Sequence, residues 1–201
     1  MCGRFLIELD VSEIKEILAA AEDSADELMD QLSFKFSGGE IYPGNTVPVI
    51  TANGVRYMTW GFPSIVDKQP HINARSETAI ASKTFGEAMA DRRCVVPASA
   101  YFEWKQTGKK RKEKYEFTLP GRAPLYMAGI YSTDGRFAIL TRDAATAMAE
   151  IHNRTPVILH KSIIDVWLKQ SPEVVNQAIT DLQFSPVSPS DKNPNQLRLF
   201  S

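Results

Sequence analysis

The sequence predicts an α+β fold: a curved, mostly antiparallel, barrel-like β-sheet with helices at its flanks. Short β-rich runs fill the middle of the chain, while helical periodicity is confined to stretches before and after them. Asn53-Gly54 lies between two of the β-rich runs, a composition that marks a tight hairpin rather than a βαβ crossover.

The elements follow in order. Arg4–Ile7 reads as a short opening strand. Asp10 with Glu13 reads as a helix N-cap and its capping-box partner, and Ile14, Ile17 and Leu18 form an i, i+3, i+4 stripe. A helix is expected from about Val11 to about Leu28. Ser37-Gly38-Gly39 breaks the chain. Thr46–Ala52 and Val55–Trp60 are the arms of the Asn53-Gly54 hairpin. Thr84–Arg92 reads as a short helix, and Arg93–Pro97, Ala100–Trp104, Tyr115–Leu119, Leu125–Tyr131 and Arg136–Thr141 as strands. Helices are expected at Lys161–Lys169 and Pro172–Asp181, the second with Pro in its first turn. From Ser185 onward Pro, Ser and Asn dominate. This divides the chain into a folded domain over 1–184 and an irregular tail over 185–201.

Composition narrows the function classes. At 201 residues, 43% hydrophobic and 23% charged, the chain can bury a core of ordinary size. No apolar run approaches a membrane span and no basic-then-apolar leader opens the sequence, so a cytoplasmic protein is expected. Two cysteines, Cys2 and Cys94, make no disulfide framework, and three scattered His without a CxxC give no metal pattern. No cofactor is implied, and no apolar patch motif argues against a monomer. The net charge of −1 advertises no nucleic acid globally, so any phosphate binding must be local.

Cys2 is the most informative residue. Removal of Met1 would leave Cys2 with an α-amine and a thiol on adjacent carbons. The amine condenses with an aldehyde to an imine, and the thiol closes a five-membered thiazolidine. Ordinary pKa values of about 7.7–8.0 for the amine and ~8.5 for the thiol leave both partly available at neutral pH. Other polar residues sit oddly in apolar runs. Glu103 stands among aromatics in Tyr101-Phe102-Glu103-Trp104, where alternation sets it opposite Phe102 and Trp104, either on a wet face or in a site. His152 sits in Ile151-His152-Asn153-Arg154-Thr155-Pro156-Val157-Ile158-Leu159, just before an apolar strand, and a lone His is more often a structural hydrogen bonder. Asn73 and Arg75 precede a helix, where Asn is by default a cap.

In order, MCGRF, YPGN, VPVI, MTWGFP, INARSET, RRCVVPASAYFEW and IHNRTPVIL resemble the SOS response-associated peptidase family, over positions 2 to about 160. The resemblance implies covalent capture of abasic sites in single-stranded DNA, in the DNA damage response. Cys2 would form a thiazolidine with the ring-opened sugar aldehyde. Asn73 would orient the Cys2 amine or the sugar, and Glu103 and His152 would move protons. Arg4 and Arg75 would hold phosphates beside the lesion, and Trp60, Phe62 and Pro63 would stack on bases as a wedge. For Trp60 and Phe62 the alternative is core packing. Lys105, Lys109, Lys110, Arg111, Lys112 and Lys114 crowd one loop, either as a solvated hairpin tip or as a phosphate contact. Thr155 stands where the family often has Met, which predicts looser packing behind His152.

The tail ends Asn195-Gln196-Leu197-Arg198-Leu199-Phe200-Ser201. Gln196, Leu197, Leu199 and Phe200 resemble the pentapeptide that docks bacterial repair proteins on the sliding clamp. Two other functions compete. An N-terminal-Cys amidohydrolase of glutamine amidotransferase type would use Cys2 on an amide, and leaves FEW and IHNRTPVIL unexplained. A non-covalent single-stranded DNA-binding module would not need the Cys2 thiol. Weak lyase or thiol peptidase activity is compatible with the first reading, as is a nucleoid location.

Overall fold

The computed structural model describes residues 2–23, 36–64, 69–108 and 111–188. The expected end of the first helix, Lys109, Lys110 and the clamp-like residues Gln196, Leu197, Leu199 and Phe200 lie outside the described residues. The strands are β1 (Phe5–Ile7), β2 (Gly39–Ile41), β3 (Thr46–Thr51), β4 (Gly54–Trp60), β5 (Asn73–Arg75), β6 (Arg93–Ala98), β7 (Ala100–Gln106), β8 (Lys112–Thr118), β9 (Leu125–Tyr131), β10 (Arg136–Asp143), β11 (Arg154–Pro156) and β12 (Gln183–Pro186). The α-helices are α1 (Ser12–Asp23), α2 (Gly86–Asp91), α3 (Thr146–Ala149) and α4 (Ile164–Lys169).

Two sheets result. One has five strands in the order β12-β8-β7-β1-β2. The other runs β11-β10-β4-β3-β6-β9, and β9 also pairs with β10, so five of its strands close a ring. Among the described residues the only parallel pairings are those of β10 with β4 and β5. The barrel-like, mostly antiparallel α+β fold is therefore observed. One continuous run feeds both sheets: β6 belongs to the ring, Ser99 marks the crossing, and β7 continues in the five-stranded sheet. Ser99 anchors the crossing, donating its N–H to the Leu6 carbonyl (2.7 Å) while its hydroxyl accepts from Glu8 N–H (2.9 Å).

Ring strands are apolar on both faces because both are covered. Alternate residues Cys94, Val96, Leu125, Met127, Phe137 and Ile139 pack toward the inner face of the five-stranded sheet, with Phe5, Trp60, Tyr101 and Phe117. Their neighbours Val95, Ala128, Ile130, Ala138 and Leu140 pack under Trp167, Leu168, Ala88 and Met89 of the flanking helices. Each fully buried large side chain here stabilises the fold by roughly 1.5–3 kcal/mol before entropy is counted.

Several expectations need adjustment. The first carbonyl used by α1 is that of Val11, which accepts from Lys15 N–H (3.0 Å), so the helix starts too late for Asp10 to cap it, and Glu13 pairs instead with Lys161. The hairpin turn falls on Ala52-Asn53, one residue earlier than expected, with Gly54 opening β4 at φ +105°, a conformation that favours glycine. Asn73–Arg75 is a strand, not a helix cap, because β10 offers it a parallel ladder. Pro172–Gln177 forms only a 3-10 turn. Ser185 and Pro186 belong to β12, paired with Glu116 and Tyr115, so regular structure extends past the expected boundary at 184.

Candidate active site

The pairing of β1 with β7 places Cys2. Phe5 lies opposite Tyr101, and the Phe102 N–H donates to the Arg4 carbonyl (2.9 Å). Toward the N-terminus the chain then brings Cys2 close enough to Glu103 for the carboxylate charge to act on its thiol. The Cys2 thiol is wholly buried, with Sγ 3.6 Å from the Arg4 carbonyl oxygen that it faces as donor. Asn73 comes from the other sheet, where β5 is held by β10. Its Nδ2 donates to the Cys2 carbonyl oxygen at 2.8 Å. Its Oδ1 is buried and accepts no hydrogen bond among the described residues.

Glu103 lies on the inner face of β7 and is 3% exposed, while Phe102 goes to the opposite face with Leu6 and Ala100. Burial pushes its carboxyl from an ordinary 4.5 up to about 7. Burial, reinforced by the Glu103 charge, also pushes the Cys2 thiol up, so the thiol keeps its proton at neutral pH.

His152 is half-buried on the loop before β11. Its Nδ1 accepts the Arg154 backbone N–H at 3.1 Å, which assigns the proton of the neutral ring to Nε2. Burial holds its pKa below the ordinary 6.5. Thr155 ties this loop to β7: its Oγ1 shares a 2.9 Å hydrogen bond with the Tyr101 hydroxyl, and both residues are buried. The packing behind His152 is thus bridged rather than loosened by the small polar residue. Tyr101 and Arg154 lie outside the expected site residues. An Arg two places after His152 and a Tyr two places before Glu103 were available signals, but their partners are distant in sequence.

The expected DNA contacts separate into two groups. Arg4 is half-buried on the outer face of the five-stranded sheet, its guanidinium 3.7 Å from the Tyr42 ring centroid and 3.0 Å from Glu40. Arg75, at the end of β5, is exposed. Trp60 and Phe62 do not form a surface wedge. Trp60 has no exposed surface, packs between Phe5 and Phe137 and donates its indole N–H to the Ile72 carbonyl (2.8 Å). Phe62 is 6% exposed and meets Phe85 edge-on. The register of β4 against β3 turns Met58 and Trp60 into the ring, which leaves Pro63, half-buried, as the surface member of the three. In the Lys-rich hairpin, Lys114 pairs with Glu40 (2.7 Å) and lies 3.8 Å from the Phe102 ring centroid. Among the described residues no three His, Cys, Asp or Glu side chains converge as a metal would need, and no helix is long and apolar enough to cross a membrane.

Comparison with known proteins adds sequence and fold relatives. The SOS response associated peptidase (SRAP) family profile matches residues 1–193. The abasic site processing protein YedK of Escherichia coli (strain K12) is 31% identical over 141 residues, which cover 66% of this chain and 62% of that protein, less than two thirds of its length. The abasic site processing protein YoaM of Bacillus subtilis (strain 168) is 29% identical over 192 residues, covering 84% of this chain and 79% of that protein. A crystal structure of a protein from Bacteroides thetaiotaomicron superposes with a TM-score of 0.72 at 22% identity, covering 95% of this chain and 96% of that one, and shows the same fold.

Proposed function

The chain belongs to the SOS response associated peptidase family, and from that premise we propose that it captures abasic sites in single-stranded DNA covalently through Cys2. The observation that carries this reading is the buried Cys2 beside a carboxyl whose pKa is about 7. Removal of Met1 frees the Cys2 α-amine. The amine adds to the aldehyde of the ring-opened sugar and water leaves, forming an imine. The Cys2 sulfur then adds to the imine carbon, its proton passes to the nitrogen, and a thiazolidine closes. At neutral pH Glu103 exists in both protonation states, so it can take the thiol proton at one step and return a proton at another. His152, neutral with Nε2–H, donates to the sugar hydroxyl or the departing water. Asn73 holds Cys2 in place through its carbonyl, and its Oδ1 is available to the freed amine.

Arg75, exposed on the Asn73 strand, serves a phosphate beside the lesion, and Arg4 a second one. The imine also permits β-elimination, so slow strand cleavage accompanies capture. A protein with this activity works on DNA in the cytoplasm, at the nucleoid.

The test is a denaturing gel of Met1-processed protein mixed with single-stranded DNA that carries one abasic site. A slow, heat-stable band that vanishes in Cys2→Ala is expected. Absence of that band, with Met1 removal confirmed by mass spectrometry, refutes covalent capture and favours the amidohydrolase alternative.

A further inference from the structure

The Arg154 side chain is 8% exposed, yet it lies at the edge where the Asn73 strand and the His152 loop meet. Its two terminal nitrogens form a fork on Glu77, Nη1 to Oε1 at 2.8 Å and Nη2 to Oε2 at 2.9 Å. Nη1 also donates to Asp143 Oδ1 (2.6 Å) and Nη2 to the Thr141 carbonyl (2.6 Å). Glu77 follows β5 by two residues, Thr141 and Asp143 end β10, and Arg154 opens β11. One side chain therefore fastens three neighbouring segments. The backbone N–H of the same Arg154 is the donor that fixes His152 Nδ1.

We propose that Glu77 and Arg154 are positioning residues: their ion pair holds the Arg154 backbone so that His152 keeps one tautomer, with its proton on Nε2 directed at the reaction. The inference rests on the role proposed above for His152, but its structural part stands without any DNA. The two terminal nitrogens of Arg154 are occupied by five oxygens of Glu77, Asp143 and Thr141, so its effect reaches the site through His152 rather than through a phosphate. Charge matters more than shape here. An ionised carboxylate accepts two parallel N–H groups, and a carboxamide offers one acceptor and one competing donor. The Arg154 fork holds the Glu77 carboxyl below its ordinary pKa, so the pair is charged throughout the neutral range.

The test compares wild type with Glu77→Gln by two readouts. The first is the 15N chemical shifts of the His152 ring in protein without DNA, assigned by the loss of signal in His152→Asn. Wild type is expected to show an unprotonated Nδ1 and a protonated Nε2, and Glu77→Gln a mixture of tautomers. The second is single-turnover crosslinking against DNA concentration. The rate at saturating DNA is expected to fall about tenfold with half-saturation unchanged. Asp143→Asn, at an exposed carboxylate, is a second variant with less risk to folding; there the tautomer shift and a roughly threefold slowing are expected together. A single unchanged tautomer in both variants overturns the proposal. So does a rise in half-saturating DNA with the tautomer preserved, which would make Arg154 a phosphate ligand. If wild type forms no crosslink, the proposed function fails, while the tautomer comparison still decides the positioning role.

Discussion

Replacing Glu103 by Gln should stabilise the fold at alkaline pH while it removes activity. Gln keeps the size and much of the hydrogen-bonding capacity of Glu but cannot ionise. Burial raises the Glu103 pKa from 4.5 to about 7. The folded state therefore holds this proton more tightly than the unfolded chain does. The contribution to stability is fully present below the unfolded pKa and is lost as pH rises through the folded one. Between pH 5 and pH 8 the wild type should lose roughly 2.5 kcal/mol through this group, which the variant does not. Other titrations are common to both proteins and cancel in the difference. For a chain of this size, that corresponds to a Tm advantage of the variant over wild type that grows by about 5–10 °C between the two pH values. The assay is thermal unfolding of both proteins at pH 5, 6.5 and 8, paired with the crosslinking gel. Crosslinking at pH 7 should fall by about a hundredfold or more as the proton carrier is lost. A Tm difference independent of pH would refute the raised carboxyl, and with it the argument that Glu103 both takes and gives protons near neutrality.

Three other substitutions probe the surroundings of the site. Asn73→Ala removes the 2.8 Å bond to the Cys2 carbonyl; crosslinking should slow about tenfold or more while Tm falls by only a few degrees, a net hydrogen bond being worth ~1 kcal/mol. Tyr101→Phe leaves the Thr155 hydroxyl only a 3.4 Å contact with the Pro156 carbonyl and should cost about 1–2 kcal/mol, part of which Thr155→Val in the same chain recovers. Fully additive losses in urea unfolding would sink that pairing. Trp60→Ala empties a core position and should destabilise by roughly 3–5 kcal/mol; weaker DNA binding at unchanged stability would restore Trp60 as a surface wedge.

Much of the architecture was legible. Leu125–Tyr131 was read with its observed bounds, and most other expected strands within one to three residues, because β-branched and aromatic runs bounded by turn residues leave few alternatives. The Ile14, Ile17 and Leu18 stripe does face the core. The strands that escaped notice are β2, β5 and β12, of three or four residues each, while the apolar strand expected after His152 is the three-residue β11, Arg154–Pro156. So short a segment carries no periodicity of its own, and a neighbour with free ladder positions makes it a strand. β5 became one through β10, and β12 through β8.

The sequence by itself determined the residue types at the site, the alternation along each strand and the antiparallel character of the fold. Alternation told that Glu103 points away from Phe102 and Trp104. It could not tell which direction is inward, since apolar residues line both faces of β7. Only the pairing of β1 with β7, and the closure of the ring beneath them, decided that Glu103 is buried beside Cys2 and that Trp60 is core. Side-chain direction along a strand is a local property of the backbone, whereas inside and outside are set by what packs against each face. That packing joins Cys2 to Asn73 and Tyr101 to Thr155, pairs 71 and 54 residues apart in the sequence.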